Sequence, residues 1–230
     1  MITDFFDQVL LPEFLKPEFE RDNWYLVVAS LKKILEEKIL NTEINSTEAT
    51  MITTGKVYIG HNCKISPYVV IEGPVYIDDD VEIGPHANIR PGSVISKGCS
   101  VGHAAEVKNS IMMEGSKVAN HTFLGDSIIG VEARLGGHTE TANRRFDQKP
   151  IEFSYNGTKL QTGLDKLGII LGERSRLGGG VMTSPGTMIG KDSLISTLAF
   201  VSGYIPPKKF LKIKHENELL ENRLSNGTVF

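Results

Sequence analysis

Residues 81–107 read VEIGPHANIRPGSVISKGCSVGHAAEV, with Ile or Val at 83, 89, 95, 101 and 107, one at every sixth position. Two places before each of these stands a small or β-branched residue: Val81, Ala87, Ser93, Cys99 and Ala105. A strand points alternate residues to one face, so each hexapeptide reads as a short strand with two inward side chains. The turns between strands are built of Gly, Pro, Asp, Asn or His, which accept tight backbone geometry. Backwards from this stretch both series continue to Ile59 and Val57. Forwards, the period shortens by one residue at Met112 and again at Ile129, and the series reaches Thr141. It resumes as Leu171, Leu177, Thr183, Ile189, Ile195 and Val201. Self-similarity at a short fixed period predicts an all-β solenoid in which each coil buries the face of the next.

The interval at about 142–168 interrupts the period and reads as an excursion from the solenoid. Within it IEFSYNGTKLQT alternates around Asn156-Gly157, the signal for a tight hairpin. Ahead of the solenoid, Trp24, Val27, Val28, Leu31, Ile34, Leu35 and Ile39 recur at helical spacing behind Asp22, a residue suited to a helix N-terminus. A helix covering the end of the solenoid is expected, since an open terminal coil presents unpaired backbone. Residues 41–54 read as a polar linker. The chain divides into an N-terminal helical region and linker (1–50), a β-helix (51–205) and a C-terminal tail (206–230), where HENELLENRL is a candidate last helix.

The 230 residues carry 25 Lys+Arg against 28 Asp+Glu, a net charge of -3. No dense basic run appears, which argues against nucleic acid as a partner. The N-terminus is acidic and interrupted by prolines, unlike a signal peptide, and no apolar run approaches the roughly 18 residues of a membrane span. A cytoplasmic location away from membranes is the expectation. Cys63 and Cys99 fall two coils apart in one inward column, about 9.6 Å from each other. That is beyond disulfide reach, and both read as small core residues.

Tandem hexapeptides such as IGHNCK and IGPHAN resemble the left-handed parallel β-helix acyltransferases, in which three hexapeptides make one triangular coil. The left hand is implied by that resemblance, because the general crossover rule favours the right. More narrowly, IRPGSVI, VGHAAEVKNS, GSKVANHTFLGDSIIG and LGGHTETAN are similar, in order and spacing, to the C-terminal acetyltransferase domain of the bifunctional UDP-N-acetylglucosamine pyrophosphorylase/glucosamine-1-phosphate N-acetyltransferase, over roughly 58–201. The resemblance implies a homotrimer, acetyl-CoA as acyl donor and an amino-sugar phosphate as acceptor. It places the sugar-phosphate ligands on Arg90, Lys108, Asn143 and Lys149, all retained. The family's general-base histidine falls on Asn120, its tyrosine on Phe123 and one asparagine on Arg134, all three changed. The nucleotidyltransferase activity of the partner domain is not expected, since residues 1–50 hold no glycine-rich nucleotide loop.

In a frame of eighteen residues per coil, Arg90 and Lys108 stack about 4.8 Å apart on one wall. Two like charges so close call for an anion between them or for acids beside them; a substrate phosphate fits the first reading and Glu106 the second. His86, His103, His121 and His138 follow Ile83, Val101, Val118 and Leu135 by two or three residues and line one corner. His121 or His138 fits a displaced general base, a role suited to neutral imidazole. Two other readings stand beside it: a metal held by the column, for which no carboxylate or thiolate completes the ligand set, and residues that simply tolerate turns. Lys208 and Lys209 are candidates for the phosphates of coenzyme A, or a solvated pair. The alternative function is a non-catalytic module that binds a sugar phosphate or nucleotide sugar for recognition or regulation.

Overall fold

The computed structural model of the chain describes residues 1–45, 51–214 and 216–220. Strands of two to four residues stack into three parallel sheets that form the walls of a β-helix. The first wall runs from Glu43–Ile44 through Val57–Ile59, Val75–Ile77, Ser93–Ile95, Ile111–Met112, Ile128–Ile129, Ile169–Leu171 and Thr187–Ile189 to Tyr204–Ile205. The second runs from Lys64–Ile65 to Phe210–Leu211 and the third from Met51–Thr54 to Phe200–Val201. The chain visits the walls in that order, and equivalent residues of successive coils pair in parallel: Ile59 with Ile77, Ile83 with Val101, Ile89 with Val107. The two inward series make the core, with Val57, Ile59, Val69, Ile71, Val75, Ile77 and Ile89 wholly shielded from solvent. Cys63 and Cys99 are buried in it and no disulfide joins them. Burial pushes the Cys99 thiol up to about 12, so it stays a thiol and is unreactive at neutral pH.

The walls differ on their outer faces. On the second wall most two-residue strands expose one residue and bury the other, as in Lys64–Ile65 and Arg134–Leu135. Ser93–Ile95, Ile169–Leu171 and Thr187–Ile189 of the first wall are buried throughout. Their outward residues, with Ile111 and Ile128, share an apolar cluster with Phe5, Phe6, Leu15, Phe19, Trp24, Val28 and Leu31. The N-terminal segment therefore lies along the side of the solenoid, which corrects the expectation that it covers the end. Five apolar side chains facing outward from one wall explain the preference, since shielding each contributes about 1.5–3 kcal/mol. Nor is the segment one helix: the 3-10 turn Trp24–Ala29 and the α-helix Leu31–Lys38 meet at Ser30. Asp22 caps neither, the N-cap positions being Asn23 and Ser30 without a side-chain cap bond.

The excursion forms the expected hairpin, Glu152–Tyr155 against Thr158–Gln161, turning at Asn156 (φ 47°) and Gly157 (φ 79°). It packs beside the N-terminal arm, with the rings of Phe153 and Tyr25 5.1 Å apart. Both ends of the solenoid extend past the boundaries read from sequence. Glu43–Ile44 pairs with Tyr58 and Ile59, and Phe210–Leu211 pairs with Leu194 and Ile195. Residues 216–220 are not helical, and the rest of HENELLENRL apart from them lies outside the described residues. Among the described residues no helix is long and apolar enough to cross a membrane.

A polar clasp fastens the arm. Asp4 accepts hydrogen bonds from the hydroxyls of Tyr155 (2.5 Å) and Tyr204 (2.9 Å), and the Tyr155 bond above all lowers its carboxyl below the usual 3.8. Asp7 meets Lys191 and Arg174, and Arg174 holds Asp192 at 2.7 Å; both carboxyls are lowered, Asp7 chiefly by Lys191 and Asp192 chiefly by Arg174. Such groups contribute stability that is present above their unfolded values and is lost as pH falls through the folded ones. Glu173, beside them and 1% exposed, is raised by burial and acts in the opposite sense, its ionisation disfavouring the clasp above its unfolded value of 4.5. Trp24, the chain's one tryptophan and 2% exposed, reports the outcome. Its emission is expected to move to the red as pH drops below 3.8, and Asp4→Asn to flatten that dependence; an unchanged acid transition in Asp4→Asn would show that the clasp contributes nothing.

Candidate functional site

Where the third wall turns into the first, two residues, Pro91 and Gly92 (φ 88°), separate Arg90 from Ser93, while in the next two coils a single residue, Asn109 (φ 46°) and then Asp126 (φ 50°), separates the equivalent positions, Lys108 from Ser110 and Gly125 from Ser127. These tighter corners are the two shortenings of the period. A one-residue corner requires left-handed backbone, which Asn and Asp adopt more readily than other residues with a side chain. It also brings their side chains together. Asp126, 4% exposed, accepts hydrogen bonds from Lys108 Nζ at 2.9 Å, Asn109 Nδ2 at 2.8 Å and Asn143 Nδ2 at 2.6 Å. Asn109 also donates to the Val28 carbonyl at 2.9 Å, tying the arm to this corner.

Arg90 and Lys108 are register partners on the third wall, as the eighteen-residue frame requires. Each nevertheless has its own acid: Arg90 meets Glu106 at 2.7 Å and Lys108 meets Asp126 at 2.9 Å. The acids that the second reading calls for thus stand beside both cations. The Lys108 side chain is 15% exposed and that of Arg90 39%, so Arg90 is the more accessible. Gly125 continues their column without a side chain. A Cβ there would lie 2.6 Å from the Phe123 ring and 2.8 Å from the Asn143 amide, so these two sequence candidates close over the vacant position. Lys149 is exposed in the excursion, its amide donating to Asp147 at 3.3 Å. Lys208 (φ 58°) sits on the edge between first and second walls, and the Lys209 amide bonds to Ser193 Oγ at 3.2 Å; neither joins Arg90 and Lys108.

The imidazoles line the edge between second and third walls. Ring centroids are 5.7 Å apart for His86 and His103, 5.0 Å for His103 and His121, and 5.1 Å for His121 and His138. Tyr68 stacks on His86 at 5.1 Å and extends the ladder by one coil. His86, His121 and His138 occupy left-handed corners at φ 59°, 54° and 58°, so the reading that histidine tolerates these turns accounts for part of the pattern. In the intervening coil Ala104 (φ 51°) takes that corner, which sets His103 one residue back. His103 Nδ1 then lies 3.0 Å from the Pro85 carbonyl oxygen. A carbonyl can only accept, so Nδ1 carries the proton and Nε2 presents a lone pair. Asn120, at the family's base position, accepts the His103 backbone N–H with its side-chain oxygen at 2.9 Å. Among the described residues no three His, Cys, Asp or Glu side chains converge as a metal site.

The sequence reading does not single out Asn109 or Asp126, and it places His103 in the histidine column without a role of its own. The signal for the first two was present: each period shortening coincides with an Asn or Asp after position 108 or 125. For His103 the spacing gives membership of the column but not the Pro85 contact, which depends on Ala104 taking the corner.

Residues 71–152 match the family described as the GMPPB C-terminal domain. The chain is similar to the uncharacterised acetyltransferase YaiX of Escherichia coli strain 536, 36% identical over 199 residues covering 86% of this chain and 82% of that one. It is similar to the bifunctional protein GlmU of Methanococcus maripaludis, 39% identical over 186 residues, 81% of this chain and 45% of that one. It is also similar to the bifunctional sugar-1-phosphate nucleotidylyltransferase/acetyltransferase of Sulfurisphaera tokodaii, 34% identical over 182 residues, 79% of this chain and 45% of that one. The chain thus spans less than half the length of these two bifunctional relatives.

Removing Asp126 would strand Lys108 in a nearly closed corner. Asp126→Ala is expected to lower stability in urea unfolding by about 3 kcal/mol, the scale for breaking a buried ion pair. Lys64→Gln, which breaks a pair exposed by 79% and 56%, should change it by less than about 1 kcal/mol.

Proposed function

The chain belongs to the left-handed β-helix hexapeptide-repeat acyltransferases, and we propose that it transfers an acetyl group from acetyl-CoA to the amine of an amino-sugar phosphate. In this reaction the amine nitrogen attacks the thioester carbonyl, an N–C bond forms and the C–S bond breaks. The proton leaving the amine passes to an imidazole of the edge and on to the departing thiolate. His121 and His138, both exposed, are the proposed proton acceptors. Arg90, Lys108 and Lys149 would take the sugar phosphate, which must compete with Glu106 and Asp126 for the first two. Asn143 and Phe123 would flank the sugar, and Lys208 and Lys209 would meet phosphates of the donor. The observation that carries this reading is the run of four imidazoles in mutual contact along an open edge, next to the wall that holds Arg90 and Lys108. The sugar-1-phosphate and acetyltransferase named in the Sulfurisphaera relative agree with it.

A homotrimer in the cytoplasm is part of the proposal. Met182 and Phe200 on the third wall, Leu194 and Phe210 on the second and Leu198 on their shared edge are exposed by 44–65%, and neighbouring subunits would cover them.

Two observations favour second readings. The Pro85 hydrogen bond makes His103 the imidazole whose tautomer is already set for proton uptake. Asn120 has a structural occupation in place of the family's base, which favours a non-catalytic sugar-phosphate or nucleotide-sugar binding module. One assay separates them: acetyl transfer from acetyl-CoA to glucosamine 1-phosphate. His121→Ala or His138→Ala is expected to lower kcat roughly 10²–10⁴-fold, the range for general-base loss. Loss confined to His103→Ala moves the role there, and wild-type protein that binds the sugar phosphate without transfer establishes the module.

A further inference from the structure

Charged side chains stacked along the solenoid are mostly neutralised by a neighbour one rung away. Lys64 stands 2.7 Å from Glu82, Arg174 2.7 Å from Asp192 and Lys108 2.9 Å from Asp126. The second wall holds the exception. Lys117, Arg134 and Arg176 occupy the same outward position in three successive coils, about 4.8 Å from rung to rung. All three are exposed, and among the described residues none forms an ion pair or a side-chain hydrogen bond. The nearest acid in their column, Glu82, lies two rungs before Lys117 and already holds Lys64. Beyond Arg176 the column continues as Leu194 and Phe210. Like charges directly opposite in a sheet are destabilising, so this row is retained at a cost that an anionic ligand would remove.

We infer that the row Lys117, Arg134, Arg176 binds the diphosphate of a diphosphate ester. A single phosphate bridges two rungs at most. Three cations spread over about 9.6 Å suit two linked phosphates, and the two guanidinium groups offer paired N–H donors to their oxygens. The wall leads straight into the imidazole edge, since Lys117 precedes His121 by four residues and Arg134 precedes His138 by four, a path of at most about 14 Å. The imidazoles are therefore within reach of a ligand held by its diphosphate. A coenzyme A thioester and a nucleotide-diphosphate sugar both carry this group. Only the placing of the reacting end rests on the acyl-transfer reading; the anion site does not.

The test is calorimetric titration of the full chain at low ionic strength with inorganic pyrophosphate, orthophosphate, coenzyme A and UDP-glucose. Wild type should bind pyrophosphate more tightly than orthophosphate. Arg134→Gln and Arg176→Gln should each weaken pyrophosphate about three- to tenfold, and the triple variant with Lys117→Gln at least about 50-fold, while Lys159→Gln on the hairpin leaves it unchanged. With no ligand the triple variant should melt at or above the wild-type temperature, because the repulsion is gone. A parallel loss for coenzyme A assigns the stripe to the donor, and one for UDP-glucose to the acceptor. Pyrophosphate affinity unaltered in the triple variant overturns the proposal, as does a change in subunit number by sedimentation with no change in any anion affinity, which would make the stripe an interface. Absence of acetyl transfer with the pyrophosphate result intact would sink the catalytic reading alone.

Discussion

Each coil of this molecule rises by one strand spacing, about 4.8 Å, so every side chain stands directly over its equivalent in the coil before. Inside, that constraint demands residues that stack without voids in a narrow prism. The branched series from Ile59 onwards, with its small partners, satisfies it. Outside, it makes electrostatics one-dimensional, because a charge sees the residue one rung up and one rung down before anything else. Lys64 over Glu82 and Arg174 over Asp192 are the ordinary solution. Lys117, Arg134 and Arg176 depart from it on the wall beside the imidazoles.

The edges obey the same rule through the backbone. Most corners hold a residue in left-handed conformation, and the residues that tolerate it stack as a column of their own. On the third-to-first edge this yields Asn109 and Asp126, whose side chains converge with Lys108 and Asn143 into one hydrogen-bonded group. On the second-to-third edge it yields His86, His121 and His138, and the single departure at Ala104 turns His103 toward Pro85. Conformational demand and chemical opportunity coincide at these corners. A histidine there needs no catalytic role to be accommodated, yet four in contact make an edge able to accept protons.

The first wall shows how a solenoid acquires a cover. Its outward positions are Val94, Ile111, Ile128, Ile170 and Met188, where the second wall has Lys117, Arg134 and Arg176. Two-sided apolarity requires a second layer, and the arm and the hairpin supply it with Asp4, Tyr155 and Tyr204 as the polar fastening. That pattern was legible in the sequence, between the two inward series. The place of the helical segment was not legible there, because helical spacing reveals that a face is apolar and not which surface it meets.

By itself the sequence determined the coil, the inward columns, the burial of Cys63 and Cys99, the hairpin at Asn156-Gly157 and the stacking of Arg90 over Lys108. All of these follow from local spacing repeated many times, where each repeat adds to the same conclusion. Tertiary structure alone decided that Glu106 and Asp126 neutralise that pair, that the Pro85 carbonyl orients His103, and that Arg176 stands next to Arg134. The last two residues are separated in the chain by the whole excursion, and a charge row that no linear run displays comes into being when the coil closes behind it. Side-chain partners depend on rotamers and on which neighbour occupies a shared corner, and those are settled by packing across rungs rather than by period along the chain.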